Sequence, residues 1–276
     1  MKTVILSFDD SRKDFYTNVF PLLKKYQIKA TLNVISDFVA HPEGYSFPSG
    51  DDKAMTIDQV KECYDSGLVE IACHGHTHLN TQKDILDNIK AMKEWGIDTD
   101  GIGFASSGSH ITWENKNDEG VWNLVKKGNL GYVRSGIQIR REGLLYSVYS
   151  LLDRYLHSKN LYWYLNKMTL LPSDTTPIVM KEDARKENKP FVLSTTVHSH
   201  TSLQQIKYFI EQAGKEDAII LMFHSVLKRG ERGYGADRFY YDYNAFETLL
   251  AYIKDNIEIR NYTTKEYITK RKSNKL

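Results

Sequence analysis

The chain has 276 residues, 41% hydrophobic and 26% charged, the balance of a globular protein with a sizeable core. A formal net charge of +2 argues for neither a nucleic-acid partner nor a membrane surface, and no apolar run is long enough for a transmembrane helix. The two cysteines, Cys63 and Cys73, are too few for a disulfide framework and read as reduced thiols.

The short apolar start, Thr3 to Phe8, reads as a strand rather than a secretory leader, and it stops at Asp9-Asp10. On this reading the protein is expected in the cytoplasm. A helix is predicted from Arg12 to Tyr26, where Phe15, Val19, Leu22, Leu23 and Tyr26 recur at helical spacing and Pro21 introduces a kink. A second strand, Ala30 to Ile35, precedes an aperiodic loop from Ser36 to Ala54. Thr56 with Gln59 three residues on is a capping-box pattern, opening a helix that Gly67 closes. The third strand, Leu68 to Cys73, runs into His74-Gly75-His76-Thr77-His78.

A helix over Gln82 to Trp95 follows, then a strand, Ile102 to Ala105, ending in Ser106-Ser107-Gly108-Ser109. A helix over Glu119 to Lys127 and a strand over Tyr132 to Arg134 continue the alternation, which implies parallel strands with right-handed crossovers. From Ser135 to Thr196 the regularity lapses: Leu144 to Leu151 is strand-like, Leu152 to Leu171 aromatic and helical, and Asp174 to Pro190 a loop. It returns with a strand over Phe191 to Thr196, a helix over Ser202 to Ala213 and an apolar strand over Ala218 to Phe223. After a loop from Lys228 to Gly235 come a helix (Tyr243 to Asn256), a strand (Ile257 to Arg260) and a last helix from Thr264. The basic tail Lys265 to Lys275 reads as a solvated end. With no repeat and no linker, the expectation is one α/β domain over residues 1–276, carrying an irregular insertion around 135–196.

In parallel α/β architectures ligands bind where the carboxyl ends of the strands meet. The predicted strand ends collect Asp9, Asp10, His74, His78, Ser106, Ser107, Arg134 and His224. His74 and His78 converge on one point if the chain makes a single turn between them, with His76 directed elsewhere. Together with one carboxylate they form a ligand set for a divalent metal, and the other carboxylate is left for proton transfer. Each residue also has a plainer reading. Asp9-Asp10 suits a helix N-cap, His224 a core histidine, and Arg134 a simple ion pair. His198 and His200 read as structural or surface residues, and His41, His110 and His157 are isolated. The tyrosines and tryptophans, 18 and 4, suit cores and sugar-binding grooves alike. The metal reading prevails because Asp9, Asp10, His74, His78 and His224 fall at one rim from distant parts of the sequence.

Together these residues resemble the polysaccharide deacetylase family, the NodB-homology or carbohydrate esterase family 4 group. Its first motif, Thr-Phe-Asp-Asp-Gly, appears as Ser7-Phe8-Asp9-Asp10-Ser11. Its second, His-(Ser/Thr)-x-x-His after a Glu-Ile-type strand, appears as Glu70-Ile71-Ala72-Cys73-His74-Gly75-His76-Thr77-His78, and its last, Leu-x-Leu-His, as Leu221-Met222-Phe223-His224. The segment Thr263-Thr264-Lys265-Glu266 is similar to the family's closing stretch. The resemblance implies a distorted (β/α) barrel, seven-stranded and TIM-like. It implies Asp10, His74 and His78 as metal ligands, Asp9 as general base, His224 as general acid, and Ser106, Ser107 and Leu221 beside the substrate. The implied metal is zinc, although cobalt, nickel, manganese or iron also suit two imidazoles and a carboxylate. The implied activity is hydrolysis of the N-acetyl group of an amino sugar or polysaccharide, giving acetate and a free amine. A carbohydrate or small amide is then the partner, with no nucleic acid and no membrane insertion. Two alternatives stand beside it: hydrolysis of another non-peptide C–N bond, or carbohydrate binding without turnover. The sequence departs from the pattern twice. Ala105 stands where the third motif has an arginine, and Arg134, at the next strand end, is the candidate substitute. The fourth motif, with its Asp and Trp, has no counterpart between Gly131 and Leu145.

Overall fold

The computed structural model describes residues 1–47, 53–109, 111, 118–136, 179–180, 190–199, 201–214, 218–236 and 238–273. Strand β1 (Lys2–Phe8) leads through a π-helical turn (Phe15–Val19) into α1 (Phe20–Tyr26). There follow β2 (Ala30–Val34), α2 (Ser36–Ala40), α3 (Ile57–Asp65), β3 (Val69–Cys73), α4 (Gln82–Glu94), β4 (Gly103–Ala105), α5 (Glu119–Lys126) and β5 (Tyr132–Gly136). Then come β6 (Val179–Met180), β7 (Phe191–Thr196), α6 (Leu203–Gln212), β8 (Ala218–Phe223) and β9 (Ser225–Leu227). The order ends with β10 (Tyr240–Asp242), α7 (Tyr243–Asp255), β11 (Ile259–Asn261) and α8 (Thr264–Lys272).

Strands β1, β2, β3, β4, β5, β7 and β8 pair in that order, and β8 pairs back onto β1 from Thr3↔Ala218 to Phe8↔Phe223. The result is a closed barrel in which every pair is parallel. It is distorted at the bottom. β2 meets β1 only at Ser7 and Phe8, so the first half of β1 pairs with β11 instead, while the short β6 lies antiparallel along β8. The distorted seven-stranded barrel is therefore the fold.

Strand periodicity sorts the side chains between two environments. Val4, Leu6 and Phe8 point outward into the layer beneath the helices, where Phe8 stacks on Phe223 at 5.2 Å and meets Phe246 edge-on at 5.8 Å. The alternate residue Ile5 joins Tyr132, Val192, Ala218 and Ile220 in a separate apolar cluster, which Tyr267 and Ile268 of α8 complete. Glu70 accepts hydrogen bonds beside this plug from Tyr132 (2.7 Å), Thr31 (2.9 Å) and the Lys265 amide (2.9 Å). Burial pushes the Glu70 carboxyl upward, and those donors only partly oppose it.

Local chemistry explains where the elements depart from the sequence reading. The helix expected from Arg12 forms over residues 13–26, but with the π-helical turn Phe15–Val19 inside it and Pro21 just after that turn, in the first turn of α1. The loop expected from Ser36 contains α2, and the last strand begins at Ile259, leaving Ile257 89% exposed. The capping box of Thr56 and Gln59 forms as read, and Gly67 follows the helix at φ +69. Most of the insertion expected around 135–196 lies outside the described residues, as do His110, His157 and His200. Among the described residues, no helix is long and apolar enough to cross a membrane.

Candidate metal centre

The inward positions of the barrel strands become polar toward their carboxyl ends. Above Ile5 on β1 come Ser7 and then Asp9, whose amide is held by the Phe223 carbonyl at 2.9 Å, so the β1–β8 ladder fixes the first carboxylate. Asn33 of β2 donates to Ser7 Oγ (2.8 Å), the Phe8 carbonyl (3.0 Å) and Asp9 Oδ1 (2.7 Å). Arg134 of β5 reaches the same carboxylate, with Nη2 2.7 Å from both Oδ1 and Oδ2, while its Nη1 donates to Ser194 Oγ of β7 at 2.9 Å. In the β4–β5 ladder Ala105 is the register partner of Arg134. The guanidinium therefore reaches Asp9 from the strand next to the one whose inward position holds only a methyl group. Burial alone would raise the Asp9 carboxyl, but Arg134, then His74 and His224, outweigh it and hold it below the usual range.

Asp10 leaves the strand with φ +72, followed by Ser11 at φ +53, a left-handed pair that turns the second carboxylate to the rim. Ser11 Oγ accepts the Ile35 amide at 2.9 Å, tying this turn to the end of β2. Burial would raise Asp10, yet the His74 hydrogen bond and the charge of Arg12 hold it well below the ordinary carboxylate value.

His74 and His78 do make the single turn between them. Gly75 takes φ +85 and His78 φ +67, bringing the two rings to 4.8 Å between centroids. Asp84, in the first turn of α4, organises this turn by accepting from the Thr77 amide (3.0 Å), Thr77 Oγ1 (2.7 Å) and the Leu79 amide (3.0 Å). Asn80 pairs reciprocally with the backbone of Ser107, and Asn88 donates to the carbonyls of Val34 and Gly75. His76 points away, its Nδ1 2.8 Å from Ser36 Oγ. His74 Nδ1 donates to the Ala105 carbonyl at 2.8 Å, which leaves Nε2 turned toward Asp10, 3.6 Å from Oδ1. His78 Nε2 lies 3.8 Å from that same oxygen. Burial would lower His74, but the two aspartates overcome it and raise it; His78 is lowered by burial and by His74.

A divalent metal fits this donor set. Ligand atoms of Asp10, His74 and His78 lie within 4.8 Å of one another, and the tautomer of His74 is fixed by a partner behind it. The three residues border a cavity of about 400 Å³. Asp9, Arg12, Gly108, Ser109, Gly136, Thr196, His198, Met222, His224, Arg238 and Phe239 supply the rest of its wall. Such a volume is in the range of small-molecule sites.

The cavity also sorts the remaining expected residues. His224 lines it, with burial holding the imidazole down to about 4, and its ring meets Phe239 at 4.9 Å. Leu221 does not line it: β8 alternation sends that side chain outward and presents Met222 instead. Ser106 and Ser107 are not in the wall either. Ser106 Oγ accepts the Ile111 amide and Ser107 Oγ donates to the His74 carbonyl, so both brace the turn, while Gly108 and Ser109 face the cavity. Sequence reasoning missed Arg12, Asn33, Asp84 and Arg238 and left His198 as structural. Of these only Asp84 carries a signal in the sequence, as the third residue after the N-cap Thr81, a pattern that by itself fits ordinary capping.

Residues 1–98 match the profile of the polysaccharide deacetylase family. A poly-β-1,6-N-acetyl-D-glucosamine N-deacetylase of Escherichia coli (strain K12) is 37% identical over 78 residues, 26% of this chain and 12% of that protein. The enzyme of the same description from Staphylococcus aureus (strain MRSA252) is 32% identical over 92 residues, 33% of this chain and 29% of that protein. The chain thus aligns with less than a third of the length of these relatives. Among solved structures, a family 4 acetyl xylan esterase from Clostridium thermocellum, in complex with a cobalt ion, shares the fold. Its TM-score is 0.50 at 15% identity, over 97% of this chain and 90% of that one. The match over residues 1–98, the similarity to these deacetylases and the shared barrel support a resemblance to the polysaccharide deacetylase family, the NodB-homology or carbohydrate esterase family 4 group.

Proposed function

We propose that the protein is a metal-dependent deacetylase that hydrolyses the N-acetyl group of an amino sugar within a carbohydrate. The observation that carries this reading is the division of labour between the adjacent aspartates. Asp10 faces two imidazoles and Asp9, 2.7 Å from Arg134, stands beside them without being needed as a ligand. Metal binding alone would require only the first.

In this reading Asp10, His74 and His78 hold the metal, zinc or a neighbour in the series. When bound, it polarises the acetyl carbonyl and favours ionisation of water. The chain's own residues do the rest. Asp9, ionised because Arg134 and its other cationic neighbours outweigh burial, accepts the proton of the attacking water. Arg134 and Asn33 fix the carboxylate and leave Oδ2 with the lone pair that does so. The backbone of Gly108, at the cavity wall, suits the oxygen that becomes negative. His224, neutral at rest because burial holds it near 4, takes up the proton that Asp9 removed from the water as that charge develops and passes it to the departing nitrogen, which leaves Asp9 ionised again. Acetate and a free amine are the products.

One observation favours a second reading, a carbohydrate-binding relative without turnover. His224 Nδ1 is sealed from solvent and has no hydrogen-bond partner among the described residues, where the family pattern places a carboxylate. The test uses β-1,6-linked N-acetylglucosamine oligomers and N-acetyl-chito-oligomers with the zinc-loaded protein, with acetate release as readout. Turnover that falls at least about 100-fold in Asp9→Asn and in Arg134→Ala, with zinc content unchanged, is expected for the enzyme. Zinc binding with no acetate release by the wild type establishes the binder. Absence of zinc from the wild type after reconstitution, with no loss in His74→Ala/His78→Ala, removes both readings of the site.

A further inference from the structure

The two oxygens of Asp10 have different neighbours. Oδ1 is the one that faces His74 and His78, at 3.6 and 3.8 Å. Oδ2 is turned the other way and accepts two hydrogen bonds from Arg12, 3.1 Å from Nε and 2.8 Å from Nη2. Arg12 is itself immobilised. Its Nη1 donates to Ser225 Oγ at 3.2 Å, and that hydroxyl donates to Asp14 at 3.1 Å. Its guanidinium lies over the Phe47 ring, 4.5 Å from the centroid, its backbone bridges to Ala54, and its side chain is only 6% exposed.

An unrestrained carboxylate can rotate about its Cβ–Cγ bond and give a metal one oxygen or both. A second oxygen occupies a position that the reaction needs open. We propose that Arg12 is a positioning residue for the metal ligand Asp10. By holding Oδ2 it presents Oδ1 alone to the ion, preset before the metal arrives. The inference rests on the reading of Asp10, His74 and His78 as the ligand set. Two donors from one planar group, anchored at a third point and stacked on an aromatic face, restrain the carboxylate's rotation more firmly than a lone ammonium does. Nothing in Asp9-Asp10-Ser11-Arg12 as a sequence reveals this, because the left-handed backbone at Asp10 and Ser11 decides where Arg12 points.

The test measures Zn²⁺ affinity by competition with a chromophoric chelator, and the visible absorption spectrum of the Co²⁺-loaded protein, for the wild type, Arg12→Met, Arg12→Lys and Asp10→Asn. Loss of a partner behind a metal ligand typically lowers affinity about 10- to 100-fold, and that is expected for Arg12→Met. A change in the position and intensity of the Co²⁺ bands should accompany it as the second oxygen joins the coordination. Arg12→Lys, which keeps one donor, should fall between. An Arg12→Met protein that binds Zn²⁺ as tightly as the wild type, or more tightly, with the same Co²⁺ spectrum overturns the inference. Circular dichroism and thermal unfolding of the metal-free proteins establish that each variant is folded. Should Arg12→Met fail to fold, Arg12→Lys decides: weaker binding with shifted bands supports the inference, and parity with the wild type overturns it. Wild-type affinity in Asp10→Asn removes the metal reading and the inference with it. Loss in Asp10→Asn alone, with both arginine variants unchanged, removes the inference only.

Discussion

His224 borders the cavity, yet burial holds its imidazole down to about 4. The unfolded chain would take up that proton near 6.5. Between those values the unfolded state binds more protons than the native state, so the stability held by the neutral imidazole is complete above about 6.5 and is lost as the pH falls toward 4. Across the window this amounts to about 3 kcal/mol. Urea denaturation of the metal-free protein, compared with His224→Asn at several pH values, should show the wild type losing its relative stability over that interval. An NMR titration should find the ring neutral at pH 6. A pH-independent difference between the two proteins would contradict the account. The sequence permitted a good deal at this scale. Asp9, Asp10, His74, His78 and His224 were legible because their strands were, and strand ends in a parallel barrel share one rim. Arg134 was legible as a strand-end cation, though its reach to Asp9 is a fact of side-chain length and barrel radius. Leu221 went astray because a motif's wording says nothing about which face of the strand a residue occupies.

The turn from His74 to His78 depends on the first turn of α4. A Cβ on Gly75 would lie 2.5 Å from Asp84 Oδ2 and 2.8 Å from the Leu79 carbonyl, at a φ of +85 that side chains avoid. Gly75→Ala should therefore destabilise the fold by about 1–3 kcal/mol and weaken Zn²⁺ binding more than it weakens overall structure, since the strain falls on the two histidines. Urea titration and chelator competition on the same preparation check both halves; a destabilised protein with undiminished Zn²⁺ affinity would refute the link. Capping boxes at Thr56, Ser202 and Thr263 are local chemistry, and their helices start where that chemistry says. The π-turn before α1 and the parallel pair β9–β10 depend on distant partners. Asn18 of that turn, for instance, donates to the Val226 carbonyl, a contact no local window contains.

The barrel as a whole has two ends with opposite tasks. One is closed by the cluster that Tyr267 and Ile268 complete, and the other carries the carboxylates and imidazoles. Tyr267 is fully buried in that plug, so Tyr267→Ala should cost about 3–5 kcal/mol of stability. Because the plug and the rim belong to separate layers, the surviving folded fraction should bind Zn²⁺ with wild-type affinity. Thermal unfolding with a parallel metal titration checks this, and coupled losses would mean that the layers are not independent. Closure of the barrel was legible through the order of strands and helices together with the family resemblance; the sharing of β1 between β2 and β11 is tertiary and was not. Across the β4–β5 ladder, Ala105 and Arg134 occupy one rung. In a ring of parallel strands each rung is a set of interchangeable addresses, all equidistant from the centre to within a side chain's reach. A chain scanned motif by motif along its length registers the arginine as deleted, whereas a chain scanned rung by rung registers it as moved one place around the circle.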